Sequence, residues 1–142
     1  DDDPNLWELT GLLHDIDLGT TEDPSVHGKM GAEWLSDMGM PRVMVDAVLS
    51  HAGHRECSTN LDTLLLAGDQ ISGLITACAL VKGRKLANVT PKTVRKRFKE
   101  KRFAAGADRE SIRLCENAGM PLDEFIEESL EAMQLISDEL GL

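Results

Sequence analysis

Residues 64–81 read LLLAGDQISGLITACALV, an apolar run in which Asp69 carries the only formal charge. The run is slightly short for a membrane span, and a carboxylate is expensive in lipid. It therefore predicts a buried helix over about 61–81 and argues against a membrane as a partner. An acid inside such a helix needs a cation or a hydrogen-bond donor to hold it, so Asp69 is a candidate functional residue.

The composition around this run predicts a helical protein. The chain has 142 residues, which suits one domain covering 1–142. Aromatic residues make up only 4% and tyrosine is absent, so the core must consist of Leu, Met, Ala, Val and Ile. Prolines and capping residues separate the apolar stretches. We expect an all-α fold of about seven helices, which begin near Pro4, Pro24, Pro41, residue 61, Pro91, Asp108 and Pro121.

The charge of the chain is uneven. The formal net charge is −10, but residues 82–102 hold ten of the fifteen basic residues and one acid, Glu100. An acidic protein with one basic stripe is not a general nucleic-acid binder, so nucleic acid is not expected as a partner. The stripe has two interpretations: a solvated helix that offsets the acidic last helix, or a patch that binds phosphate or a nucleotide.

The cysteine pattern and the first residues of the chain indicate the cellular compartment to expect. Cys57, Cys78 and Cys115 are far apart and odd in number, which suits a reducing compartment. The chain begins DDDPN, which is not the pattern of a signal peptide. We therefore expect a cytoplasmic protein.

Four histidines, His14, His27, His51 and His54, all lie within the first 54 residues, and Asp15 directly follows the first. On a helix, His51 would share a face with the apolar residues three, four and seven positions before it. His27 would share a face with mostly apolar residues four, seven, eight and eleven positions after it, so both are expected to point inward.

These residues have two interpretations. Each histidine could be a core residue that hydrogen-bonds to the backbone. Together, however, His14, Asp15, His27, His51 and Asp69 offer the imidazole and carboxylate ligands of a divalent transition-metal site. One or two ions of Mn, Fe, Ni, Co or Zn would suit them, and the absence of nearby cysteine argues against a structural zinc site. His54 follows a glycine and could support a ligand, contact a substrate or lie on the surface.

Four segments carry a resemblance to a known family: GLLHDID, VHGKMGAEWL, AVLSHAGH and AGDQISGLI. Together they resemble the HD-domain superfamily of metal-dependent phosphohydrolases, in particular the small HDIG-type proteins, and the likeness continues through the tail of an uncharacterised subgroup. The resemblance implies an HD-domain-like helical bundle. In the family an earlier helix supplies a further histidine ligand. The thirteen residues before His14 contain none, so we expect the family's N-terminal helix to be missing.

The resemblance also implies roles. His14 and Asp69 would hold one ion, His27 and His51 the other, and Asp15 would bridge them. Asp15 and Asp69 are the candidate catalytic residues. By their positions near the histidines, Lys29 and His54 are candidate substrate contacts, and a solvated surface lysine is the alternative for Lys29.

The expected function is phosphohydrolysis of a small phosphorylated substrate, either a phosphomonoester or a nucleotide. Two alternatives stay open: an HD-fold binding or regulatory module with a degraded site, and a di-iron HD-type oxygenase. The sequence also leaves a homodimer open.

Overall fold

The computed structural model of the protein describes residues 3–20 and 22–142, and all regular secondary structure within them is helical. The all-α expectation is therefore confirmed, with one more helix than the seven predicted. The eight α-helices are α1 (Pro4–Leu13), α2 (Lys29–Asp37), α3 (Arg42–His51), α4 (Asn60–Val81), α5 (Pro91–Lys99), α6 (Arg109–Arg113), α7 (Leu122–Leu135) and α8 (Ser137–Leu140).

The chain forms two compact units, residues 1–66 and 67–142, and the boundary between them falls inside α4. In the first unit, α2 and α3 pack together, and their core includes Leu35, Met44 and Val48, all fully buried. In the second unit, α5 packs on α7. The expectation of one domain over residues 1–142 stays a prediction.

Helix α4 presents the buried apolar face that its sequence predicts. Ala67, Ile71, Leu74 and Cys78 recur at helical spacing, and each is at most 1% exposed. Within the described residues, α4 alone is long and apolar enough to cross a membrane on length and composition, with a mean hydropathy of 1.7. The core helix of a globular protein passes the same test. The buried face supports a core helix, whereas the absence of a membrane partner stays a prediction.

The second helix was predicted to run from Pro24 to Gly39, and the predicted beginning of this helix is wrong. A single 3-10 turn covers Pro24–Val26, the chain then breaks at His27 and Gly28, and α2 begins only at Lys29. Gly28 has a φ of +77°, and a Cβ there would lie 2.3 Å from the Cβ of Ala52. The break therefore depends on glycine, and the helical-register argument for His27 does not apply.

Two helices of the second unit begin at capping residues, and two of its helices end in tighter or irregular turns. Thr90 and Asp108 cap α5 and α6, because their side chains accept hydrogen bonds from the backbone N–H groups of Thr93 and Ser111. After α6 the chain tightens into a 3-10 helix over Leu114–Ala118. A break at Ile136 separates α7 from α8 and accounts for the extra helix.

Arg109 holds the irregular segment that follows α5. Its guanidinium group donates hydrogen bonds to six backbone carbonyl oxygens, at distances from 2.5 to 3.3 Å. One helix end leaves several carbonyl groups without a partner, and the fixed fork of an arginine can satisfy many of them at once. The six acceptors belong to Arg97, Phe98, Glu100, Phe103, Ala104 and Ala107.

We expect Arg109→Met to lower the free energy of unfolding by about 2–3 kcal/mol, because several half-buried carbonyls would lose a charged donor. Urea denaturation followed by circular dichroism measures this change. Arg102→Met is the matched control, since Arg102 is exposed and should cost no more than about 0.5 kcal/mol. Equal losses for the two variants would contradict the role assigned to Arg109.

Candidate metal centre

Three histidine rings surround the carboxylate of Asp15. Asp15 Oδ2 lies 3.3 Å from His14 Nε2, and Asp15 Oδ1 lies 3.3 Å from His27 Nε2 and 3.4 Å from His51 Nε2. The ring of His51 stands nearly perpendicular to the other two, with centroids 5.0 and 5.2 Å away. Four of the five residues predicted to bind metal are therefore adjacent in the first unit.

Two of these rings, those of His14 and His51, lie at the ends of helices. His14 directly follows α1, and His51 is the last residue of α3. The Nδ1 atom of each contacts a carbonyl oxygen three residues earlier on its own helix: Gly11 for His14 at 2.6 Å, and Val48 for His51 at 2.5 Å. These carbonyl groups would otherwise lack a partner at the end of the helix.

The hydrogen bonds also fix which nitrogen carries the proton. His27 Nδ1 contacts Asp17 Oδ1 at 2.8 Å, so in all three rings Nδ1 faces an oxygen that can only accept. In a neutral imidazole Nδ1 is then the donor, and Nε2 presents a lone pair. Three lone pairs directed at a carboxylate repel it unless a proton or a metal ion lies between them.

His51 gives a separate test of whether a metal fits. Its Nε2 atom is buried and has no hydrogen-bond partner among the residues that the structure describes, which is costly for a polar atom unless something binds it. Burial lowers the pKa of His51, and the neighbouring His14 lowers it further, which favours the neutral ring that a metal requires. Ligand atoms of His14, Asp15 and His51 all lie within 4.8 Å of one another. This donor set fits a divalent cation.

Asp17 belongs to the site and was missed by the sequence reasoning. It is fully buried, and its carboxylate accepts hydrogen bonds of 2.8 Å each from His27 Nδ1 and from the backbone N–H groups of Gly28 and Gly31. Burial alone would raise the pKa of Asp17, but these hydrogen bonds outweigh it and hold the pKa below its usual value. A metal-binding histidine commonly donates its other N–H to a carboxylate. A search for such a partner beside the His-Asp pair could have found Asp17.

The two candidate substrate contacts lie in different settings. His54 Nε2 donates to the carbonyl oxygen of His27 at 2.7 Å, so this side chain holds the backbone of a neighbouring site residue. Lys29 is exposed at the first position of α2. Their assignment as substrate contacts stays a prediction.

Asp69 lies in the second unit, on α4. It is half-buried rather than fully buried, and its Oδ2 atom accepts a hydrogen bond of 2.9 Å from Gln70 Nε2. Together with Gln70 and Gly73 it lines an open pocket of 370 Å³, which is also lined by Ala104, Gly106 and Ala107. The assignment of Asp69 as a metal ligand and catalytic residue rests on the sequence and stays a prediction.

The basic stripe is partly neutralised within its own unit. Arg95 pairs with Asp123 at 2.6 Å and with Glu127, both on the acidic helix α7. These pairs support the interpretation in which the stripe offsets acidic charge. Lys99 is exposed and lines a pocket of 530 Å³, and its role in binding phosphate stays a prediction.

Comparisons with known proteins add one positive finding. A family model described as HD domain matches residues 1–112, which is most of the chain. Comparisons with curated proteins and with solved structures find no match. The matched region contains the His-Asp pair, the two further histidines that surround Asp15, and Asp69. The chain therefore belongs to the HD-domain superfamily of metal-dependent phosphohydrolases.

Proposed function

We propose that the protein is a metal-dependent phosphohydrolase that acts on a phosphomonoester or nucleotide. The observation that supports this most directly is the set of three Nε2 atoms around Asp15, each within 3.4 Å of its carboxylate. Imidazole and carboxylate ligands without thiolate suit Mn, Fe, Ni, Co or Zn. His14, Asp15, His27 and His51 would hold one or two such ions, and Asp69 is a further ligand on the sequence resemblance alone.

A divalent metal supplies such a site with Lewis acidity, which activates water and neutralises the charge of a phosphate group. Charge neutralisation is the main requirement, because hydrolysis of phosphate esters is among the slowest uncatalysed reactions. The protein's contribution is to hold its ligands rigidly, and the Nδ1 hydrogen bonds of all three histidines do this.

Asp15 has the clearest additional role. Its side chain is 37% exposed, whereas that of His51 is only 3% exposed. The carboxylate therefore meets solvent on one side and the histidine nitrogens on the other. We propose that Asp15 orients the attacking water and can accept its proton, with Asp69 as the second candidate carboxylate for that step.

A cytoplasmic location is part of this proposal. Cys57, Cys78 and Cys115 are all free thiols, which is the usual state of cysteine in a reducing compartment. A homodimer and a small phosphorylated substrate stay predictions from the sequence.

We expect His51→Ala and Asp15→Asn each to weaken the binding of Mn²⁺ by about tenfold or more, because each removes a ligand from the centre. Isothermal titration calorimetry on the metal-free protein measures the dissociation constant. Glu33→Gln, an exposed change on α2, should bind like the wild type. Unchanged affinity in both site variants would refute the metal centre.

Asp69→Ala tests the remaining sequence-based ligand. If the assignment is right, metal affinity and hydrolysis fall together, because the substitution removes one carboxylate from the donor set. The same titration measures the affinity, and phosphate release measures hydrolysis. Wild-type values for both would remove Asp69 from the site.

Metal-loaded protein should release phosphate from p-nitrophenyl phosphate or from nucleoside monophosphates, and His51→Ala should abolish this release. Protein loaded with Mn, Co, Ni or Zn is assayed for phosphate, and protein loaded with Fe is assayed for oxygen consumption. Oxygen uptake without phosphate release would favour the oxygenase. Metal binding with neither activity would favour a binding or regulatory module.

A further inference from the structure

His27 differs from the other two site histidines in how the chain supports it. His14 and His51 lie at helix ends and bond to their own helices. His27 lies in the break before α2, with φ −54° and ψ +137°, and Gly28 follows it in a left-handed conformation. Because His27 lies outside the α-helices, other parts of the first unit must fix its position.

Asp17 supplies the first part of that support. One carboxylate oxygen accepts from His27 Nδ1, while the other accepts from the backbone N–H groups of Gly28 and Gly31. A single buried group therefore fixes the ring of His27 and also the beginning of α2, where free N–H groups need an acceptor. Because the ring and the helix share one carboxylate, neither can move independently of the other.

His54 supplies the second part of the support, because it binds the backbone of His27 rather than its ring. Its Nε2 atom donates to the backbone carbonyl oxygen of His27 at 2.7 Å. The backbone also has little room to shift, since a Cβ added at Gly28 would meet the Cβ of Ala52 at 2.3 Å and a carbon of the His54 ring at 3.7 Å. Asp17 thus holds the side chain of His27, and His54 holds its main chain.

We propose that Asp17 and His54 are positioning residues for His27, which fix its Nδ1–H tautomer and keep its Nε2 lone pair directed at the metal centre. This inference rests on the proposed function, because it treats His27 as a ligand. It also gives His54 a role other than contact with substrate.

Asp62 provides a matched control within the same unit. Like Asp17 it is fully buried, and it accepts hydrogen bonds from the backbone N–H groups of Ser58 and Thr59 at the beginning of α4. None of its hydrogen-bond partners is a histidine. Asp17→Asn and Asp62→Asn therefore remove the same kind of buried charge, but only the first changes the support of His27.

The first experiment compares these two variants by thermal unfolding and by titration with Mn²⁺. Both should lower Tm by several degrees, because each buried carboxylate accepts hydrogen bonds from backbone N–H groups where a helix begins. Asp17→Asn should also weaken Mn²⁺ binding by about 10–100-fold, the usual effect of losing a hydrogen-bond partner of a metal-binding histidine. Asp62→Asn should stay within about twofold of the wild type. Equal Mn²⁺ affinities in the two variants would overturn the proposal.

The second experiment measures the His27 tautomer by nitrogen NMR of the metal-free protein at pH 8. The wild type should show the Nδ1–H form, and Asp17→Asn should show a mixture of the two tautomers, because an asparagine can either accept or donate at this position. An unchanged tautomer would contradict the role of Asp17. This measurement does not need metal, so it tests the role of Asp17 even if the wild-type protein binds no Mn²⁺. Absence of Mn²⁺ binding by the wild type would count against the proposed function instead.

A third comparison covers the case in which Asp17→Asn does not fold. His54→Leu removes the donor to the carbonyl of His27 and should weaken Mn²⁺ binding by about fivefold or more. His54→Gln retains an N–H donor and should recover most of the lost affinity. Equal affinities in the leucine and glutamine variants would show that the hydrogen bond to His27 does not position the ligand.

Discussion

The close approach of three imidazole nitrogens to one carboxylate is the constraint around which the first unit is arranged. Lone pairs on His14, His27 and His51 repel the oxygens of Asp15 unless a cation is held among them. Each ring is nevertheless fixed in this orientation by a hydrogen bond on its far side. The unit thus uses ordinary polar contacts to hold donor atoms in an arrangement that a bound metal would favour, which is how a binding site is preorganised.

Buried or half-buried polar side chains satisfy backbone groups at several helix ends. Asp17 accepts N–H groups where α2 begins, Asp62 does the same for α4, and Arg109 covers the carbonyl groups after α5. Several of the helices are short, with α6 only five residues long, so many of their backbone groups lie at ends and lack an intrahelical partner. In the first unit one of these end groups, Asp17, has also become part of the support of the metal centre.

Local signals predicted most of the fold. Proline and capping residues located the beginnings of α1, α5, α6 and α7 to within about two residues, because such signals act on the few residues around them. The break at His27 was not predicted, since it depends on Asp17 ten residues earlier and on the nearness of Ala52. Neither interaction leaves a periodic pattern in the sequence. His27 nevertheless lies beside Asp15, although the helical register from which its inward position was predicted is wrong.

The sequence by itself determined the helical class, the apolar face of α4 and the family, and it singled out four side chains that lie together in the structure. These follow from composition, periodicity and the identity of chemically distinctive residues, all of which can be read locally. Only the tertiary structure decided which nitrogen of each histidine faces Asp15 and what supports it. That information depends on hydrogen bonds between segments far apart in the chain, such as the one from His54 to His27. Aspartate occurs thirteen times in this chain, and what distinguishes Asp17 from the others is its position in the folded protein.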